Sequence, residues 1–294
     1  LFTALEIQAN HVQMTYYYMF VILFMVLAYL WDAIRQKRLA QFGKATGVCV
    51  VAAALGVVVN LSNLYHTWQY TQESMRGKSE LVKKNSANQT DSGLDRDYIT
   101  QWSYGIDETW TLLVPNAKGG ASVPLAQNEK AMEKADPQFF QIYQQMGQYW
   151  GNQPGTSGPV YVGAFVLMLF IMGLFIVKGP MKWALFAATV LSVLLSWGRN
   201  FMWFTDLFID YMPMYAKFRT VASILVIAEF TIPLLAMLAL KKILDTPDFF
   251  TQKIHIYLGT AKHNIIGKDT TNMLWLWVSF VATGGMALLF AIMP

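Results

Sequence analysis

Aromatic and acidic side chains crowd into one segment of this chain, YITQWSYGIDETWTLLVPNAKGGAS, in which Trp102, Tyr104 and Trp110 mix with Asp107 and Glu108. Sugar rings stack their C–H faces on aromatic planes and offer hydroxyls to carboxylates, so outside a membrane this mixture fits carbohydrate. The same aromatics also suit docking of a loop on the membrane interface. Adjacent side chains seldom point the same way in a helix or strand, so at most one of Asp107 and Glu108 is expected to move a proton. His11, His66, His255 and His263 show no HExxH spacing, and the single Cys49 excludes CxxC, so no metal site is read. Phosphate loops are excluded as well. The glycines of LGVVVN and TGGM stand in neither GxGxxG nor GxxxxGK[ST], and are expected instead where helices pack closely.

The elements that carry these residues follow from composition. The chain has 294 residues, 55% apolar and 15% aromatic but only 14% charged, with a mean hydropathy of +0.34. A soluble core, disorder, collagen and a disulfide scaffold are all excluded. A hydrocarbon layer of about 30 Å needs about 20 helical residues. Six runs approach that length: Tyr16 to Ile34, Thr46 to Tyr65, Pro159 to Val177, Met181 to Trp197, Thr220 to Leu240 and Met273 to Met293. The fold class expected is an all-α polytopic membrane protein of about six transmembrane helices. Glu229 lies inside the fifth run, where a carboxylate is costly, and is expected to face the bundle or a wet cavity.

Orientation follows from the loops, because Lys and Arg near span ends stay cytoplasmic. One set holds Arg35, Lys37, Arg38, Lys44, Lys178, Lys182, Lys241, Lys242, Lys253, Lys262 and Lys268; the short loop opposite holds only Arg199, Lys217 and Arg219. The net charge of +4 therefore has a topological origin, and no nucleic-acid partner is expected. The resulting organisation is an outer N-terminal segment with two spans over 1–65 and an extracytoplasmic loop over 66–158. Three spans follow over 159–240, then a cytoplasmic interfacial loop over 241–272 and a last span over 273–294. Within the outer loop, Lys83 to Gly93 is polar and expected to be mobile, while Gln127 to Trp150 has helical composition, with Pro137 starting a helix.

Several ordered strings carry a family resemblance: NHVQMTYY (Asn10 to Tyr17), MRGKSEL (Met75 to Leu81), QWSYGIDETWTLLVPNAKGG (Gln101 to Gly120), YWGNQPGTSGPVYVG (Tyr149 to Gly163), PMYAKFRT (Pro213 to Thr220) and TGGMALLFAIMP (Thr283 to Pro294). In these the chain resembles the YfhO family of bacterial membrane proteins, most closely the branch found in Bacteroidetes. The resemblance implies a GT-C-like glycosyltransferase of the bacterial inner membrane, using a polyprenyl-phosphate-linked sugar on the outer face. Its implied partners are membrane lipids, the lipid-linked sugar and a cell-envelope glycopolymer or lipid acceptor, with no cofactor beyond the donor itself. It also implies that this chain corresponds to a middle portion, with the family's catalytic Asp upstream.

Such chemistry needs cations at the outer membrane surface for the leaving phosphate and a carboxylate for the acceptor's proton. Arg76, Lys217 and Arg219 stand at that level, positions that equally suit snorkelling to lipid headgroups, and His11 is a further candidate for phosphate. Asp107 and Glu108 are the candidate catalytic acids. Asn10, Gln13, Trp102, Trp110 and Trp150 are candidates for sugar or acceptor. Asp206 and Asp210 join them, because a spacing of four puts both on one helical face, where they also suit capping of an interfacial helix. A flippase for lipid-linked sugars and a noncatalytic envelope scaffold are the rival functions.

Overall fold

The computed structural model describes residues 1–77, 87–90, 93–256 and 268–292. Most of the expected mobile stretch and residues 257–267 of the loop expected to be cytoplasmic lie outside them. The chain opens with α1 (Phe2–Gln8), α2 (Val12–Arg35), α3 (Leu39–Val59), α4 (Leu61–Gln72) and α5 (Arg96–Ile99). The outer segment continues through β1 (Gly119–Pro124), α6 (Glu129–Met132), α7 (Phe140–Gln145) and β2 (Gly147–Tyr149). Then come α8 (Ala164–Ile176), α9 (Met181–Ser196), α10 (Met202–Tyr211), α11 (Val226–Leu244), β3 (Lys253–Ile256), β4 (Lys268–Thr271), α12 (Met273–Phe280) and α13 (Met286–Ile292).

The protein is mostly helical, with four helices long and apolar enough to cross a membrane: Val12–Arg35, Leu39–Val59, Val221–Leu244 and Met273–Ile292. The two remaining expected spans differ. At Pro159 to Val177 only α8 is helical, and its 13 residues reach about 20 Å, short of a hydrocarbon core. The α9 helix has 16 residues and turns by 106° into the helix that follows it. The second run also starts earlier than its apolar stretch, at Leu39, and breaks at Asn60 before α4. Two small antiparallel sheets, β1 with β2 and β3 with β4, interrupt an otherwise all-α chain. Pro137 does begin helical structure, with the Asp136 carboxylate accepting from the Gln138 amide at 2.9 Å.

Small and hydroxyl-bearing residues bring the spans together, as expected where lipid cannot drive apolar contact. Thr189 and Thr231 share a hydrogen bond of 2.7 Å between α9 and α11, and Ser192 donates to the Ile224 carbonyl at 2.8 Å. A Cβ at Gly173 would lie 3.0 Å from Leu235, so α8 sits tightly on α11. Gly56 of LGVVVN plays the expected role, since a Cβ there would meet Thr3 and the backbone of Ala4. Asn60 then fastens the same contact by donating to the Ala4 carbonyl at 3.0 Å. The glycines of TGGM lie in a π-helical turn that packs on α8, where the nearest atoms to a Cβ at Gly284 belong to Phe280 of the same helix.

Over one end of the helices lies a wedge, residues 99 to 104. Ile99 offers its carbonyl to the Thr220 amide (3.1 Å), Trp102 offers its own to Ala222 (3.1 Å), and Tyr104 donates to the Ser196 carbonyl (2.8 Å). Ile99, Thr100, Ser103 and Tyr104 are buried. Gly198 makes room for them with φ +46, and a Cβ there would fall 2.1 Å from the Ser103 hydroxyl and 2.5 Å from Val221. Gly198→Ala should therefore cost about 3 kcal/mol through left-handed strain plus overpacking. Gly179→Ala should cost only about 1 kcal/mol, because φ is +100 but nothing lies within 4 Å. Reversible unfolding in mixed micelles checks the difference, and equal losses would contradict it.

Candidate functional site

A cavity of about 600 Å³ opens beside this wedge, where α1 turns into α2, α4 passes and the 213–218 segment returns. Each element presents residues for a local reason. Leu64, Trp68 and Thr71 recur at spacings of four and three, so one face of α4 supplies the apolar wall. Asn10, with φ +57, reverses the chain between α1 and α2 and leaves His11 and Gln13 on the lining. Met214 and Thr220 are both left-handed, at φ +66 and +62, and bracket the turn that delivers Lys217 and Phe218. Strained non-glycine backbone of this kind costs energy and is held only by its surroundings.

Two cations meet at this cavity. Arg76 Nε donates to the Lys217 carbonyl at 2.9 Å, and Lys217 Nζ donates to the Arg76 carbonyl at 3.0 Å. The clasp joins residues 141 positions apart. Each side chain commits one donor to backbone and keeps others, and among the described residues no Asp or Glu lines the cavity. Among the described residues no ion pair engages Arg76, Lys217 or His11. Two like charges held together in partly apolar surroundings favour an anion between them. With Leu64, Trp68, Val12 and Phe218 alongside, the arrangement can receive an anionic headgroup that carries an apolar chain.

Of the remaining candidates for phosphate, His11 lines the cavity but is exposed. Arg219 points away, donating to the Tyr98 hydroxyl at 2.7 Å with its guanidinium 5.5 Å from the Tyr98 ring centre. Gln13 is turned towards the protein. Its Nε2 lies 2.6 Å from the Arg219 carbonyl, 2.9 Å from the Tyr17 hydroxyl and 3.0 Å from Ser223 Oγ, so it positions Arg219. Asn10 accepts from the Asn63 amide at 3.2 Å.

The two adjacent acids part company, as adjacency requires. Asp107 is exposed and pairs with Lys118. Glu108 is 1% exposed and accepts from the Gly105 amide (2.5 Å), the Tyr149 hydroxyl (2.5 Å) and the Asn152 amide (3.1 Å). It is a latch between YGIDETW and YWGNQ, with its oxygens taken up by the protein. Burial, and then the hydrogen bond to Glu108, push the Tyr149 phenol above its ordinary range, so it stays protonated as a donor. Burial likewise raises Tyr104, whose hydroxyl bonds Thr111.

The tryptophans are dispersed in their contacts. Trp102 donates to the Gly155 carbonyl at 3.2 Å, Trp110 rests on Phe290 with ring centres 5.5 Å apart, and Trp150 is exposed beside Gly119. Trp110 thus docks the loop on the last span. Asp206 and Asp210 do share one face of α10, and there both bind Arg96. Glu229 does not pack into the bundle: its side chain is exposed in the first turn of α11, and Pro233 four residues on removes the donor its carbonyl would otherwise meet. Among the described residues no group of His, Cys, Asp and Glu is placed to hold a metal.

No family model, no curated protein and no solved structure matches this chain. The site is therefore read from its own residues. Sequence spacing missed Arg96, whose partners lie more than 100 positions away, and Trp68, whose signal was the helical recurrence in LSNLYHTWQ. The latch sets one expectation. Glu108→Ala strands one buried and two partly buried donors and should cost about 3 kcal/mol, whereas Asp107→Asn loses only a surface pair worth less than about 1 kcal/mol. Unfolding in mixed micelles and proteolysis within 147–158 read both, and equal effects would refute the latch.

Proposed function

We propose that the cavity at Arg76 and Lys217 binds the phosphate of a polyprenyl-phosphate-linked sugar, and that the protein serves a glycosyltransferase of the YfhO type in the bacterial cytoplasmic membrane. What carries this reading is the pairing of two cations beside an apolar wall at the ends of apolar helices, with no carboxylate among the described lining residues. In the full reading the chain crosses the membrane six times, α8 and α9 supplying the two shorter passages, and the large loop faces outward. The polyprenyl chain lies along Leu64, Trp68 and Phe218 while the headgroup meets Arg76 and Lys217. His11 stands at the cavity's edge as a further donor.

In the transfer, an acceptor hydroxyl oxygen bonds to the anomeric carbon as the bond from that carbon to the phosphate oxygen breaks. The phosphate leaves with the electron pair, and the growing negative charge is what Arg76 and Lys217 are placed to stabilise. A carboxylate takes the acceptor's proton. Glu108 is poorly suited to that role, since three donors already occupy it; Asp107 keeps an accessible carboxylate.

The test reconstitutes the full-length protein in liposomes with labelled polyprenyl-phosphate sugars and envelope acceptors. Arg76→Gln and Lys217→Gln should each lower transfer and donor binding by about tenfold to a hundredfold, the range for losing one charged donor to a developing anion. Arg219→Ala should act less on donor binding, because its side chain rests on Tyr98. Movement of the lipid-linked sugar between leaflets without transfer would replace the enzyme by a flippase. Full function in both Gln variants would leave only a scaffold.

A further inference from the structure

A second cavity, of about 800 Å³, lies on the same outer face, lined among others by Asp95, Arg96, Asp97, Tyr98, Gln101 and Arg199. Its charge is arranged in the opposite sense. Arg96 is neutralised by Asp206 at 3.1 Å and by Asp210. Arg199 is drawn to the Asn152 carbonyl at 2.6 Å. Asp95 and Asp97 are exposed, and among the described residues neither carboxylate has a hydrogen bond or ion pair, nor does the Gln101 amide. Among the described residues the cavity therefore offers free acceptors and an amide, with Arg96 paired to carboxylates and the single charge of Arg199 outnumbered by Asp95 and Asp97.

The two cavities are joined through one residue. Gln13, on the lining of the first, holds the Arg219 carbonyl, and the Arg219 guanidinium covers Tyr98 of the second. The first surface attracts anions; the second, with two unpaired carboxylates, repels them and accepts hydroxyl protons. A neutral, polyhydroxylated molecule is the ligand class that satisfies such a lining, since carboxylates accept from adjacent hydroxyls while an amide both donates and accepts.

We infer that this second cavity is the acceptor site, binding a neutral glycan end through Asp95, Asp97 and Gln101, with Arg219 as the positioning residue between it and the lipid phosphate. The inference rests on the reading of the first cavity as the donor site, because it is the division of charge across Arg219 that distinguishes acceptor from donor.

The test keeps the two sites apart. The full chain in lipid nanodiscs is titrated with maltose, cellobiose and chitobiose, read by saturation-transfer NMR, and separately with a short-chain polyprenyl phosphate. Wild-type protein should saturate the ring protons of at least one disaccharide, and joint Asp95→Asn and Asp97→Asn substitution should weaken that binding by about tenfold or more while leaving polyprenyl phosphate affinity unchanged. Gln101→Ala should weaken it in the same direction and guards against misfolding of the double variant. Arg76→Gln should do the reverse, lowering phosphate binding alone. No saturation from any disaccharide, or saturation that survives both the double variant and Gln101→Ala, overturns the acceptor site whatever the phosphate arm gives. Failure of wild-type protein to bind polyprenyl phosphate removes the donor reading instead, and with it the assignment of the second cavity as acceptor.

Discussion

Everything at one end of the helices depends on one constraint: a stretch of non-helical backbone is buried where the apolar helices end, and each of its polar groups must find a partner there. Residues 99 to 104 meet that demand by bonding to Ser196, Thr220 and Ala222, which belong to the end of α9 and the approach to α11. The wedge thus stitches the outer segment to two different helices. Because Thr220 is one of its partners, it also helps hold the left-handed bend that delivers Lys217 and Arg219. On its other side it continues into Gly105, which donates to the Glu108 latch.

The same stitching divides this face by charge. On one side, Arg76 and Lys217 hold each other's backbone, with no carboxylate among the described lining residues. On the other, Arg96 gathers Asp206 and Asp210, while among the described residues Asp95 and Asp97 meet no partner. Arg219 lies between them, its carbonyl held by Gln13 and its guanidinium by Tyr98. A cation held by a neutral amide and a phenol keeps its charge uncompensated.

The aromatic and acidic segment illustrates how residue type alone misleads about role. Trp102, Tyr104, Trp110, Asp107 and Glu108 read together as a sugar surface. In the fold Tyr104 and Glu108 are buried, Trp110 leans on Phe290, and only Asp107 keeps its carboxylate at the surface. Adjacency in sequence sends side chains to opposite sides, so a cluster in the string becomes a division between core and surface. Asp206 and Asp210 went the other way: a spacing of four did place them together, yet the partner they met was an arginine 110 positions distant.

Apolar run length marked a mostly helical chain with helices long enough to cross a membrane, and the placement of Lys and Arg supplied an expected orientation, because both act locally along the sequence. Residue type and position likewise marked His11, Arg76 and Lys217 before any contact was visible. The passages at α8 and α9 were not legible in the same way, since hydropathy reports transfer into lipid and is blind to where a helix begins, as at Gly163, or turns, as after Ser196. Only the tertiary structure decided that Arg76 clasps Lys217, that Glu108 is a latch, and that Asp95 and Asp97 meet no partner among the described residues. Each of these rests on hydrogen bonds between residues tens to more than a hundred positions apart, or on their absence. Such pairings are set by how the helices pack and by the need to satisfy buried polar groups, for which the linear sequence has no period to read.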